Sequence, residues 1–204
     1  MTRQLMASLP TNGGPTTLKF EEMRIETKRL ILRVPREEDI EAITEVANDW
    51  RIAEMTLVPH PYTTADGLFF VRKSTASWAE HGMGGMVVVH REDHKIIGAI
   101  GLRPLELPDH GSSGFWFSPA VWGKGFATEA LSAILHFGFS ERGMRHIEAS
   151  HLKINPASGR VMEKAGLSGA VDVELPARDG EGLVPGVTRS IGLDDWKLLL
   201  RQPK

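Results

Sequence analysis

The chain has no cysteine and a single tyrosine among its 204 residues. The first absence excludes disulfides, thiolate metal ligands and a cysteine nucleophile. The second leaves Tyr62 as the only phenol available as a proton donor. No apolar run approaches the roughly 18 residues needed to span a bilayer, so no membrane partner is expected. Neither sign of charge dominates, with 24 Lys+Arg against 26 Asp+Glu and a formal net charge of -2. That balance reads against nucleic-acid binding driven by bulk charge. The 8 histidines are scattered, without His-Glu-x-x-His spacing, and no metal site is expected. Met1 to Pro15 holds Arg3 but no continuous apolar core, so no secretory signal is expected and a cytoplasmic protein is.

The composition is 41% hydrophobic and 25% charged, that of a soluble enzyme or binding domain. Ser8, Pro10, Thr11, Asn12, Gly13, Gly14 and Pro15 form a turn-rich mixture without periodicity. Residues 1–22 therefore read as a mobile N-terminal arm, and 23–204 as a single domain.

Hydrophobic periodicity orders that domain. Arg24 to Val34 alternates and reads as one strand, stopped by Pro35. Glu37 to Asn48 and Asp66 to Glu80 carry apolar residues at helical spacing, with a polar loop containing Pro59 and Pro61 between them. Met86–His90 and Lys95–Leu102 read as a hairpin, and Gly114–Phe117 as the next strand. A helix over about Ala127–Phe139 and a strand over His146–Leu152 follow. Asn155 and Pro156 open a helix that Gly166 closes. Two β segments, Gly169–Leu175 and Val187–Leu193, then precede a terminal helical turn around Trp196. The strand, helix and strand from Phe115 to Leu152 form a unit that pairs in parallel within an otherwise antiparallel sheet.

The stretch Phe115 to Ala127 concentrates the functional signal. A strand passes through Ser118-Pro119 into Trp122-Gly123-Lys124-Gly125-Phe126-Ala127 and straight into a helix. Free amides and the positive helix terminus converge there, which suits a phosphate-bearing ligand. The spacing is neither a Walker loop nor a dinucleotide fingerprint. On spacing alone, a phosphate loop and an ordinary tight turn both remain open.

This segment resembles the coenzyme loop of GNAT-type N-acetyltransferases, of the form Gln/Arg-x-x-Gly-x-Gly/Ala. Trp-Gly-Lys-Gly-Phe-Ala-Thr-Glu-Ala is similar to the branch containing ribosomal-protein-alanine N-acetyltransferases. So are Asn155-x-x-Ser158-x-x-x-x-Glu163-Lys164-x-Gly166 and the opening Glu26-Thr27-Lys28-Arg29-Leu30-Ile31-Leu32-Arg33. The resemblance implies an α+β, GNAT-like fold: a mixed, mostly antiparallel twisted sheet with a central parallel strand pair and about four flanking helices. It implies acetyl-CoA as cosubstrate and no metal. Coenzyme contacts fall on Phe117, Trp122, Gly123, Lys124, Gly125, Phe126, Ala127 and Asn155, with the Phe117 amide near the thioester. The implied partner is an amine acceptor, either a small molecule or a protein N-terminus, and a homodimer is compatible with the resemblance.

Many members place an acidic tyrosine where this chain has Met162, and the resemblance offers Ser158 as the catalytic substitute. Asn155 equally suits a helix cap, Ser158 a local hydrogen bond, Lys124 a solvated side chain, and Phe115, Trp116 and Phe117 core positions. Glu148 and His151 are candidate bases whose facing the sequence leaves open. The acceptor is expected over His60–Thr64 and Asp179–Pro185. Met162 also motivates an alternative, a non-catalytic acetyl-CoA-binding regulatory module.

Overall fold

A computed structural model describes residues 20–178 and 180–201. Residues 1–19 of the expected arm lie outside the described residues. Phe20–Glu22 forms a short 3-10 turn whose Phe20 packs against the core.

One sheet of eight strands organises the chain. Its strands are β1 (Arg24–Glu26), β2 (Leu30–Arg33), β3 (Gly85–His90), β4 (Ile96–Pro104), β5 (His110–Phe117), β6 (His146–Leu152), β7 (Ser168–Pro176) and β8 (Leu183–Gly192). Their order is β1-β2-β3-β4-β5-β6-β8-β7. Every neighbouring pair is antiparallel except β5 and β6, which pair in parallel as the strand-helix-strand reading expects. The helices are α1 (Ile40–Ala47), α2 (Trp50–Met55), α3 (Thr64–His81), α4 (Phe126–Ser140), α5 (Pro156–Ala165) and α6 (Leu193–Leu200). The fold is therefore α+β with a mostly antiparallel sheet, and carries six α-helices where about four were expected.

Strand alternation divides the core in two. Met86 and Val88 of β3 face α4, where Leu131, Ile134, Leu135 and Phe137 are almost fully buried. Val87 and Val89 face the other way, against Ile43 and Ala47 of α1 and Val71 of α3. Tyr62 belongs to this second cluster, and its burial, with the Asp66 carboxylate nearby, pushes its hydroxyl up to about 12.

Three departures from the sequence reading have local causes. The single strand expected over Arg24–Val34 is two strands. Thr27 N–H donates to Leu30 O at 2.9 Å, and Leu30 N–H to Thr27 Oγ1 at 3.0 Å, closing a turn without Gly, Pro or Asn. The expected polar loop after Asn48 contains α2, capped by Asp49, whose Oδ1 accepts from Arg51 N–H at 3.0 Å. β5 begins at His110 rather than Gly114, because strand neighbours on both sides impose extended backbone on Gly111-Ser112-Ser113-Gly114 despite its weak strand propensity.

Candidate active site

The sheet opens at its parallel pair. β5 and β6 pair from His110–His146 to Ser113–Ala149, and there the pairing stops while both strands continue. Beyond it β6 stays paired with β8 out to Leu152–Gly186. On the other edge, Ser118 N–H donates to Ile97 O at 2.8 Å, so antiparallel alternation points the Trp116 and Ser118 amides toward β4. The amides of Phe115 and Phe117 consequently point into the gap that β6 has vacated.

The gap leads to the glycine turn. Gly123 and Gly125 hold φ of 75° and 79°, which a side chain would strain. A Cβ at Gly123 would meet nothing within 4 Å, and one at Gly125 only Arg29 Nη2, at 3.5 Å. The backbone is therefore bare on the side a ligand would approach. The first helical bond of α4 runs from Glu129 N–H to Gly125 O at 3.0 Å, leaving the amides of Phe126, Ala127 and Thr128 without an intrahelical acceptor. Trp122 braces the turn through its indole N–H, which donates to Phe117 O at 2.7 Å.

Asn155 and Ser158 are brought together opposite this turn. Asn155 Oδ1 accepts from Ser158 N–H at 3.1 Å, so the side chain caps α5 as its sequence suggested. Its Nδ2 donates to Ser158 Oγ at 3.0 Å and to Met55 O at 2.8 Å, tying α5 to the end of α2. Arg178 Nη1 donates to Ala53 O at 2.7 Å, so the β7–β8 connection also grips α2.

A cleft of about 2030 Å³ joins these parts. It exceeds the roughly 300–1,000 Å³ of a site for one drug-sized ligand, and suits a long one. Phe117, Trp122, Gly123, Gly125, Phe126, Ala127, Asn155 and Ser158 all line it. Lys124 does not: its N–H is turned to Val121 O, and its carbonyl accepts from Arg29 Nη1 at 2.9 Å. The charged lining comes from the N-terminal segment, with Glu22, Arg24, Glu26 and Lys28, from Arg91, from Glu129 and Glu141, and from α5, with Arg160, Glu163 and Lys164. The same lining carries the imidazole of His136 beside Phe115, Phe117, Met55, Asn155 and Ser158 in one continuous cleft.

The candidate bases lie outside it. Glu148 sits between fully buried Ile147 and Ala149, so it faces away from α4, whereas His151 packs against Gly159 of α5. Neither lines the cleft, nor does buried Tyr62. Met162 is 1% exposed, a core residue rather than a vacant acid position. Among the described residues no group of three or more His, Asp or Glu could hold a metal ion, and no helix is long and apolar enough to cross a membrane.

The family model of the acetyltransferase (GNAT) domain matches residues 29–168. The chain belongs to the GNAT acetyltransferase family. Acetyl-CoA is the acetyl donor of this family, and the chain is an acetyl-CoA-dependent acetyltransferase. The uncharacterized N-acetyltransferase YnaD of Bacillus subtilis is 33% identical over 146 residues, covering 71% of this chain and 82% of that protein. A GNAT-family acetyltransferase structure from Bacillus anthracis superposes with a TM-score of 0.73 at 26% identity, covering 84% of this chain and 99% of that one. A ribosomal-protein-S5-alanine acetyltransferase from Vibrio fischeri shares the fold, with a TM-score of 0.70 at 19% identity and coverage of 86% and 99%.

Within this acetyltransferase, sequence reading missed one cluster at the glycine turn. Glu129 Oε1 accepts from Thr27 Oγ1 at 2.6 Å and from Arg29 N–H at 2.9 Å, and its Oε2 accepts from Arg29 Nε at 2.7 Å. The residues stood within quoted motifs, but a separation of 100 positions hid their contact.

Proposed function

We propose that this acetyltransferase passes the acetyl group directly to a weakly basic primary amine, an α-amine of a protein N-terminus or of a small molecule. The observation that carries this reading is the gap at Phe115–Phe117, which offers backbone donors in a cleft that Ser158 lines, while Glu148 and His151, the bases the sequence offered, lie outside that cleft.

Acetyl-CoA supplies the acetyl group as a thioester. The residues fit such a donor, since a bare turn with free amides lies at one end of the cleft and an opened strand edge at the other. In this reading the Phe117 amide stabilises the developing oxyanion, a role worth roughly 3 kcal/mol for a single well-placed donor. Ser158 Oγ already accepts from Asn155, which leaves its O–H free to hydrogen-bond the departing sulfur as the C–N bond forms and the C–S bond breaks. The proton lost by the amine passes through water to the thiolate. No acyl-enzyme is involved: cysteine is absent, and Ser158 has an amide beside it rather than an imidazole or carboxylate.

Proton loss to water rather than to a side-chain base selects the acceptor. An α-amine of pKa near 7.8 is roughly one-tenth neutral at pH 7, a lysine near 10.4 only a few parts in ten thousand. The proposal includes a single acetyltransferase domain over 23–204 and a cytoplasmic setting.

Thiol release from acetyl-CoA, measured across dipeptides, amino acids and polyamines with products identified by mass, tests the reading. Acetylated α-amines support it. Tight coenzyme binding without turnover on any amine would instead support the regulatory-module alternative.

A further inference from the structure

The β1–β2 turn is bound to the start of α4 more tightly than packing alone requires. Both oxygens of Glu129 are occupied by Thr27 and Arg29, and the Glu129 side chain is only 18% exposed. Arg29 also donates through Nη1 to Lys124 O, lies over the Phe126 ring at 4.3 Å, and brings Nη2 closest to the bare face of Gly125. One guanidinium thus touches the first helical turn and the preceding loop carbonyl from outside the cleft lining.

This arrangement resolves an electrostatic conflict. A carboxylate in the first turn of a helix is drawn back toward the free N-terminal amides, where it would occupy or repel an anion. Here Glu129 is turned to the β1–β2 turn and its charge is matched by Arg29.

We propose that Arg29 is a positioning residue for the pyrophosphate of the coenzyme, holding Glu129 away from the α4 amides and bracing the glycine turn through Lys124 O. The proposal rests on the reading that acetyl-CoA occupies this cleft. Glu129 acts through Arg29: its carboxylate fixes the guanidinium, and becomes an obstacle to the ligand once that partner is gone.

The test is calorimetric binding of CoA and of dephospho-CoA, which share the pyrophosphate but differ in the 3′-phosphate, with melting temperature followed in parallel. Arg29→Gln should weaken both by a similar factor, roughly 30- to 100-fold, the weight of a lost charge-assisted contact. Arg29→Lys, which keeps the charge without the planar fork, should fall between that variant and the original. Adding Glu129→Gln to Arg29→Gln should recover affinity about tenfold, because the unmatched carboxylate is gone. A purely structural clamp predicts no recovery, since both partners would then be lost. Affinity of Arg29→Gln within threefold of the original, or a double variant no tighter than Arg29→Gln, overturns the proposal. If the unaltered protein fails to bind CoA, the coenzyme reading itself falls; binding that survives Arg29→Gln removes only the role of Arg29.

Discussion

Asn155 Nδ2 donates to Met55 O at 2.8 Å across 100 positions of sequence, so one amide side chain caps α5 and anchors the end of α2. Its two functions separate by substitution. Asn155→Ser keeps a capping oxygen but loses the donors to Met55 and Ser158. Asn155→Ala loses the cap as well, and should cost about 1 kcal/mol more in urea unfolding. Both should lower turnover, because Ser158 loses the hydrogen bond that orients its hydroxyl.

Ser158→Ala should reduce kcat about tenfold with little change in the KM for acetyl-CoA, the weight of one hydrogen bond formed mainly in the transition state. Steady-state kinetics at saturating acceptor measures this. An unaltered kcat removes Ser158 from the mechanism.

Gly125→Val should act on binding rather than chemistry. The residue holds φ of 79°, so a branched side chain strains the turn by about 1–2 kcal/mol and also fills the bare face above it. The expected result is a rise of at least tenfold in the dissociation constant for acetyl-CoA. Unchanged affinity would show that no phosphate sits on this turn.

Away from the site, Asp39 predicts how stability depends on pH. Burial alone would raise its carboxyl, but two hydrogen bonds from the Arg33 guanidinium, at 2.6 and 2.7 Å, and one from Arg36 N–H hold it below the ordinary 3.8. The unfolded chain then takes up the proton first, so this stabilisation is full above pH 3.8 and is lost as pH falls through the lower folded value. Asp39→Asn should cost about 3 kcal/mol at neutral pH by leaving Arg33 without its partner, and should flatten the acid limb of a urea-stability profile.

The sequence disclosed those parts of the fold whose signals are local. Asn155 with Pro156 and Gly166 bounded α5 correctly, because capping chemistry is written in adjacent residues. The β1–β2 turn escaped because a threonine hydroxyl and a long-range partner make it. The pairing of β5 with β6 was legible from alternating strand and helix, but the position of its opening was not. That opening follows from β6 remaining with β8, a tertiary competition invisible in either strand. The site shows the same division: the glycine turn was apparent as a motif, while the facing of Glu148 and His151 required the packed helices on either side of β6.

The central claim is that no side chain acts as a base on the acceptor, which must bring its own neutral amine. The most direct test is the pH dependence of kcat/KM for two acceptors of different basicity, a dipeptide α-amine and Nα-acetyllysine, between pH 6 and 9.5. The account predicts that the α-amine reacts faster at pH 7, and that its rate levels off at its own pKa near 7.8. The lysine rate should still be rising at pH 9.5. A common inflection below pH 7.5 with both acceptors would reveal an enzyme base and contradict the account.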